Sequence, residues 1–351
     1  GYILAGQTDQ GRDYLTRAAS GFDLVGDLFG RSAAWLWLAL DAWRQGDDER
    51  AMSHLSDLLP LVRQRGYDSL LTRRTFLGLK YDEAAAPLLI EAQRRGIEAE
   101  YAGRLLDVIG LGGIDYHPGY ALSVRTLGAF AVWRGGEPVI ARDWKREKAR
   151  QIFQLLLTYP QQWFYREQII EQLWPHLPPE AAERDFRVAL NALQGALEPN
   201  RPRGVQAFFV TRRGSVYGLN PAAGIVVDAG DFEQLAASDD IDRLRQALTL
   251  YEDDYLPDAV YEDWSAAERQ RLRHLYLVTA ERLARHLLQK KAWEEAIQVC
   301  QKILAHDNCR EAAYRLLMRT YAAQDNRPQV HDVYQQCVST LRKELEVEPS
   351  P

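Results

Sequence analysis

The spacing of apolar residues divides the chain into long helical segments and a shorter segment of mixed strands and helices. From residue 1 to about residue 110, apolar side chains recur every three or four positions, as they do on one face of an α-helix. One constant offset aligns Gly6 with Gly46, Leu15 with Leu55, and Gly26 with Gly66. This internal repeat predicts an array of helix–turn–helix units, and a plain helical bundle is the alternative.

A stretch rich in turn residues, from Gly110 to Gly119, interrupts the helical pattern, and its glycines at 110, 112 and 113 predict a flexible linker. Alternating apolar positions after it predict two short strands around Gly128. Helical spacing then returns in three stretches, at about residues 145–158, 166–173 and 179–197. Residues 208–217 predict two further strands joined across Arg213 and Gly214. Three helices followed by a strand pair are typical of a winged helix.

From Asp228 onward the chain is helical again and contains a second internal repeat. A constant offset aligns Leu283 with Leu317 and Cys300 with Tyr334. This offset equals the period of tetratricopeptide repeats, which is about 34 residues, and such repeats alternate small and large apolar residues in the same way. The predicted fold is therefore mostly α with a small α+β module, in which repeats of this type flank a winged helix-turn-helix domain. The predicted domains are residues 1–115, 119–222 and 226–349.

The charge of the chain is distributed unevenly along these segments. The formal net charge of −6 over 351 residues argues, taken alone, against a protein that binds nucleic acid. Between residues 121 and 220, however, there are fourteen basic and nine acidic residues, so this segment carries +5 and the remainder −11. A basic module between acidic ones indicates a nucleic-acid-binding surface.

No motif for an enzyme, a metal or a cofactor accompanies that charge pattern. The chain has no Gly-Lys dipeptide and hence no P-loop, no His-Glu-x-x-His, and no Cys-x-x-Cys pair among its three cysteines. We therefore expect neither catalysis nor a bound cofactor or metal. The cysteine count favours a reducing cytoplasm, and the longest apolar runs, such as residues 33–40, are too short to span a membrane.

The third predicted helix carries the side chains that sequence-specific DNA recognition requires. Arg184, Arg187, Asn191 and Gln194 follow one another at spacings of three and four, so they form one polar stripe. Arginine pairs with guanine through two hydrogen bonds, and asparagine or glutamine pairs with adenine in the same way. The alternative is an ordinary solvated helix face, which the neighbouring helices and strand pair make less favourable.

Two sets of residues along the chain form recognisable motifs. The central set is Trp144, Lys148, Arg150, Leu155, Leu156, Arg166, Leu173, Trp174, Pro175, Thr211, Arg212, Arg213, Gly214 and Tyr217; the later set is Asp228, Phe232, Leu250, Tyr251, Leu256, Pro257, Trp264, Glu268, Arg269 and Leu272. With these residues the central segment is similar to the winged-helix DNA-binding domain of the OmpR type, and the helical segment after it resembles the bacterial transcriptional activation domain found beside such domains. That pair is the hallmark of the Streptomyces antibiotic regulatory protein (SARP) family.

The resemblance implies a transcriptional activator that binds double-stranded DNA at direct repeats as a homodimer and contacts RNA polymerase with help from the activation domain. It implies that the third helix enters the major groove, that Arg166 contacts a phosphate, and that Arg212 and Arg213 lie on the wing. Residues 1–115 are similar to the repeat region of MalT-like and AfsR-like regulators. Those proteins carry an ATPase module ahead of the repeats, so we expect such a sensor region to precede this chain.

Two departures from the family pattern weaken the expected DNA binding. Many members carry Arg-Leu-Arg late in the third helix, where this chain has Ala192-Leu193-Gln194, and Gly218 replaces a basic residue that often follows the wing tyrosine. A repeat scaffold that binds a peptide or a protein, without specific DNA recognition, is therefore the alternative function. RNA binding is a third option, but the basic sheet carries no aromatic platform of the kind that single-strand readers use.

Overall fold

A computed structural model describes residues 8–79 and 82–350 of the chain. Within that part, six helices precede the first strand: α1 (Thr8–Leu24), α2 (Leu28–Arg44), α3 (Asp48–Arg65), α4 (Ser69–Thr72), α5 (Ala86–Arg94) and α6 (Ala99–Val108). The central segment contains β1 (Leu122–Arg125), β2 (Ala131–Arg134), β3 (Glu137–Pro138), α7 (Ala141–Trp144), α8 (Glu147–Thr158), β4 (Phe164–Tyr165), α9 (Arg166–Leu173), α10 (Pro179–Leu197), β5 (Val210–Arg213), β6 (Val216–Leu219) and β7 (Ile225–Val227). The rest is helical: α11 (Asp228–Ala236), α12 (Ile241–Leu250), a 3₁₀ turn (Pro257–Ala259), α13 (Asp263–Gln289), α14 (Trp293–His306), α15 (Glu311–Ala323) and α16 (Arg327–Leu345).

The strands form two small sheets. One has the order β3-β2-β1-β7, and the other has the order β4-β6-β5. In the second sheet both pairings are antiparallel, with Tyr217 of β6 opposite Phe164 on one side and Arg212 on the other. The predominance of helices, with a small mixed module in the middle of the chain, confirms the predicted fold class.

The chain divides into two compact units. The first comprises residues 1–122 and 133–225, and the second comprises residues 123–132 and 226–351. Residues 1–115 and most of 119–222 therefore fall in one unit. The division into three domains at the boundaries given above stays a prediction.

Helices α1, α2 and α3 of the first unit begin at evenly spaced positions, so one period of the predicted repeat corresponds to a pair of helices. Gly26, Gly46 and Gly66 follow the three helices with φ near +70°. A β-carbon at any of them would meet no atom within 4 Å, so the left-handed backbone and not a lack of space favours glycine there. Gly6, which the repeat aligns with Gly46, lies outside the described residues.

The turn at residues 117–119, which follows the glycines that predict a flexible linker, is packed against the protein. His117 is buried, its ring contacts Phe208 at a centroid distance of 4.5 Å, and its Nδ1 accepts a hydrogen bond from the N–H of Gly119 at 3.0 Å. Burial lowers the pKa of His117 to about 4. Gly119 lies close to the ring of Pro87, so this turn packs onto the helix that contains Pro87. Turn residues alone do not distinguish such a packed turn from a linker.

The second predicted repeat is also visible in the helices of the second unit. Helix α14 begins at Trp293 and α16 at Arg327, which is the same offset as that between Leu283 and Leu317. Leu283 and Leu317 are both buried, as their alignment requires. Cys300 is fully buried, whereas Tyr334 at the aligned position is 47% exposed. The repeat is therefore regular in its helix positions but not in every packing residue.

The second unit contains two segments that are far apart in the chain, and Asp228 joins them. Its carboxylate accepts hydrogen bonds from the Thr126 N–H at 2.7 Å, the Thr126 hydroxyl at 2.6 Å and the Leu127 N–H at 2.9 Å. It also accepts one from the N–H of Ala229 at 2.9 Å. Hydrogen bonds to a charged group are stronger than neutral ones, so this carboxylate fixes residues 126–127 beside the start of α11.

We expect the substitution Asp228→Ala to lower the free energy of unfolding by about 2–3 kcal/mol, because it leaves several donors without an acceptor. Asp231→Ala is the matched control, since Asp231 is an exposed carboxylate in the same helical turn. Urea denaturation followed by circular dichroism measures both variants. Equal effects of the two substitutions would show that the four hydrogen bonds of Asp228 do not stabilise the unit.

Candidate nucleic-acid interface

Helices α8, α9 and α10 and the hairpin of β5 and β6, which we call the wing, form the winged-helix module. The bounds of α9 and α10 coincide with the stretches predicted from the sequence. Phe186 of α10 lies at the centre of the packing, with its ring centroid 6.3 Å from Trp174 and 5.3 Å from Tyr217 of the wing. One buried aromatic residue therefore fixes α10 against both the end of α9 and the wing.

The exposed face of α10 differs in part from the predicted polar stripe. Three residues of the stripe are exposed, as predicted: Arg184, Arg187 and Asn191. Val188 and Gly195 are exposed as well. No described residue forms an ion pair or a side-chain hydrogen bond with Arg184 or Asn191. These two side chains are therefore available to an external partner.

Gln194 is not part of that exposed face. Its Nε2 donates to the carbonyl oxygen of Val210 in the wing at 3.1 Å, and its Oε1 accepts from both terminal nitrogens of Arg201 at 3.3 Å. Base recognition through this amide would require these hydrogen bonds to break. The structure therefore assigns Gln194 to the attachment of the wing, and we omit it from the candidate DNA-contacting set.

Glu183 engages two of the predicted DNA-contacting arginines. Its Oε1 lies 2.6 Å from a terminal nitrogen of Arg166, and its Oε2 lies 3.0 Å from a terminal nitrogen of Arg187. Arg166 also pairs with Glu167 at 2.7 Å, and hydrogen bonding to Glu167 raises the pKa of Arg166. The first turn of α9 and the first half of α10 are thus joined by a carboxylate that neutralises part of the basic surface.

The two wing arginines lie on different aromatic residues. Arg212 lies over Tyr217 at 5.7 Å from the ring centroid, and its Nε donates to the carbonyl oxygen of Gly214. Arg213 lies over the ring of Trp163 with its guanidinium carbon 4.1 Å from the centroid. Both side chains are exposed, so the wing presents two positive charges near its tip.

Three side chains of the first unit hold the C-terminal end of α10. Glu198 accepts hydrogen bonds from the N–H groups of Phe208 and Phe209 at 2.8 and 2.9 Å. Glu198 is 2% exposed, and burial raises its pKa. Tyr120 donates to the carbonyl oxygen of Leu197 at 2.7 Å, and Arg134 donates to that of Ala196 at 3.2 Å. The bonds of Tyr120 and Arg134 satisfy carbonyls that a helix end leaves without partners.

Two residues near this surface are absent from the sequence prediction. Val188 is 38% exposed between the polar side chains of α10, where an apolar group suits contact with a thymine methyl. Its spacing of four from Arg184 and three from Asn191 is a signal that the sequence does contain. Trp163 beneath Arg213 has no comparable signal, because the contact depends on how the strands pair.

The described residues contain no group of His, Cys, Asp and Glu side chains arranged to hold a metal ion. None of the helices in that part of the chain has the length and apolar character needed to cross a membrane.

Comparison with known proteins supports the resemblance seen in the sequence. Residues 227–351 match the family model of the bacterial transcriptional activator domain. A structure of Mycobacterium tuberculosis EmbR in complex with a low-affinity phosphopeptide is similar, with 19% sequence identity and a TM-score of 0.54. The similarity covers 66% of this chain and 62% of that one. Because the sequence identity is low, the similarity shows a shared fold and no more. No curated protein matches the chain at a significant level.

Residues 227–351 therefore have the sequence pattern of a bacterial transcriptional activator domain. The resemblance to SARP-type transcriptional activators is confirmed to this extent.

We expect Gln194→Leu to lower the free energy of unfolding by about 1–2 kcal/mol, because the Val210 carbonyl and Arg201 lose their partner. Asn191→Ala is the control, since this exposed amide bonds to no described residue and its loss should change stability by less than about 0.5 kcal/mol. Urea denaturation compares the two variants. A loss of stability for Asn191→Ala and none for Gln194→Leu would reverse the roles assigned to these amides.

Proposed function

We propose that this protein is a sequence-specific DNA-binding transcriptional activator. The observation that carries the proposal is the exposed row of Arg184, Arg187 and Asn191 on α10, in a winged-helix module that is followed by a bacterial transcriptional activator domain. In this proposal α10 enters the major groove, where its arginines and asparagine pair with base edges and Val188 contacts a methyl group. Such an activator would act in the cytoplasm.

The remaining basic residues contact the DNA backbone in this proposal. Arg166 lies at the start of α9, and Arg212 and Arg213 lie on the wing, so phosphate contacts would flank the helix in the groove. The protein would bind direct repeats as a homodimer and contact RNA polymerase with help from the activator domain. The net charge of +5 over residues 121–220 supports attraction to DNA.

A second candidate function is a scaffold that binds a peptide or protein through its helical repeats. A shallow, open cavity of about 360 Å³ in the second unit is where such a partner would bind, and its lining combines polar and charged side chains with Leu277. The residues that line it are Gln270, Arg273, His274, Leu277, Asp307 and Arg310. Selection of bound sequences from random duplex DNA at moderate salt separates the two functions. An enriched direct repeat supports the activator, and no enriched sequence supports the scaffold.

Arg187→Ala should weaken binding to the selected sequence by about 1–3 kcal/mol and relax the preference at one base pair, because a side chain that reads a base is lost. Arg319→Ala removes the same charge from α15, outside the winged-helix module, and should leave binding unchanged. Mobility shift with the selected duplex and with single-base variants measures both effects. An Arg187→Ala protein with unaltered affinity and preference would remove this residue from the proposed interface.

Glu183→Gln should strengthen binding to any duplex by roughly threefold to tenfold and steepen its salt dependence, because Arg166 and Arg187 lose a competing carboxylate. The exposed pairs themselves contribute little to stability, so the variant should fold normally. Glu171→Gln is the control, since Glu171 is exposed on α9 and pairs with no described residue. Affinities measured over a range of roughly 50 to 300 mM salt give both slopes. Identical curves for natural protein and Glu183→Gln would contradict the competition.

A further inference from the structure

The outer face of the sheet β4-β6-β5 places an aromatic ring beneath a wing arginine. Phe164 lies opposite Tyr217, and Tyr165 lies opposite Val216, so the same register places Trp163 opposite Gly218 of the central strand. On the other side of that strand, Thr211 lies opposite Gly218 and Arg213 lies opposite Val216. Residues directly opposite each other point to the same face, so Trp163, Gly218 and Arg213 share one face of the sheet.

Trp163 immediately precedes β4 and Arg213 ends β5, and β6 lies between these two strands. The two outer strands of this sheet are roughly 10 Å apart. A bulky side chain on β6 would keep a side chain of one outer strand from reaching the other. Gly218 removes that obstacle. A β-carbon at Gly218 would lie 3.0 Å from Cδ2 and 3.1 Å from Cε3 of Trp163, so the indole rests directly on the glycine backbone. The φ of Gly218 is not in the left-handed region, so the close approach of the ring, and not the backbone conformation, favours glycine.

The indole that crosses the glycine reaches the guanidinium of Arg213 at 4.1 Å. Tryptophan is the aromatic side chain that attracts a cation most strongly through its ring face. Within the described part of the chain, the Arg213 guanidinium has no ion pair and no hydrogen bond. It contacts the ring of Trp163 instead. Its N–H groups, which lie at the edge of the plane, are therefore available to an acceptor outside the protein.

We propose that Trp163 is a positioning residue that holds Arg213 for contact with a DNA phosphate, and that Gly218 is the residue that makes this possible. The proposal rests on the proposed DNA-binding function. An arginine on the tip of a hairpin has many rotamers, and ordering it on binding costs free energy. A guanidinium already stacked on an indole has lost part of that freedom before DNA arrives. Arg212 lies over Tyr217, so Trp163 acts on Arg213 selectively.

The first measurement tests the contact without DNA. The ring current of an indole shifts the resonances of a guanidinium stacked on it, so the Arg213 side chain should show shifted signals in the natural protein. These signals should return to ordinary positions in Trp163→Leu and stay shifted in Trp163→Phe to a smaller degree. Unshifted signals in the natural protein would overturn the proposal whatever the protein binds.

The second measurement tests the consequence for DNA with the duplex selected above. Trp163→Leu should weaken binding about three- to tenfold and lower the salt slope by up to about one, because one phosphate contact is lost or disordered. Trp163→Phe should restore part of the affinity. Gly218→Ala should cause a smaller loss in the same direction, since its β-carbon forces the indole to shift by a few tenths of an ångström. Thermal unfolding of each variant shows whether the protein is folded. If Trp163→Leu does not fold, the affinities of Trp163→Phe and Gly218→Ala carry the test.

A double-mutant cycle separates positioning from a general structural role. In a protein that carries Arg213→Ala, the further change Trp163→Leu should have no effect on affinity. In a protein that carries Arg212→Ala, it should have its full effect. Additive losses in the Arg213→Ala background would overturn the proposal and leave the proposed function intact. A natural chain that retards no duplex would overturn both.

Discussion

The position of α10 depends on a buried carboxylate at its end. Glu198 is almost completely buried and accepts hydrogen bonds from two backbone N–H groups of the segment that leads into the wing. Burial of a carboxylate is unfavourable unless it is hydrogen-bonded, which is why its pKa is raised and why the pair of donors matters. This single side chain connects the helix proposed to read DNA with the hairpin proposed to contact the backbone. Phe186 and Gln194 make the same connection further along the helix.

The basic surface of the module is partly neutralised by the protein itself. Glu183 and Glu167 pair with Arg166, and Glu183 also pairs with Arg187. Ion pairs that are open to water contribute about 0–1 kcal/mol, so a phosphate displaces them at little cost. They still reduce non-specific attraction, because each neutralised arginine removes charge that any duplex would meet. Arg184 has no such partner among the described residues, so its charge is not neutralised in this way.

The sequence predicts the helices of the module better than the orientation of their side chains. Proline at residue 179 and again at residue 199 limits α10 from both sides, so its bounds follow from backbone chemistry alone. The polar stripe places Gln194 on the exposed face of α10, whereas the structure places Gly195 there. One residue corresponds to a rotation of about 100° on a helix, and only the position of the wing decides which neighbour is covered. The contact of Trp163 with Arg213 depends on strand register, which local periodicity does not determine.

The hydrogen bonds of Asp228 make two distant segments of the chain depend on each other. Three of its four hydrogen bonds come from residues 126 and 127, which precede the activator domain by about a hundred positions in the chain. A gene rearrangement that moved residues 227–351 alone would leave those donors behind and deprive the carboxylate of its partners. Residues 126–127 and the activator domain thus belong to one structural unit, because Asp228 needs both segments.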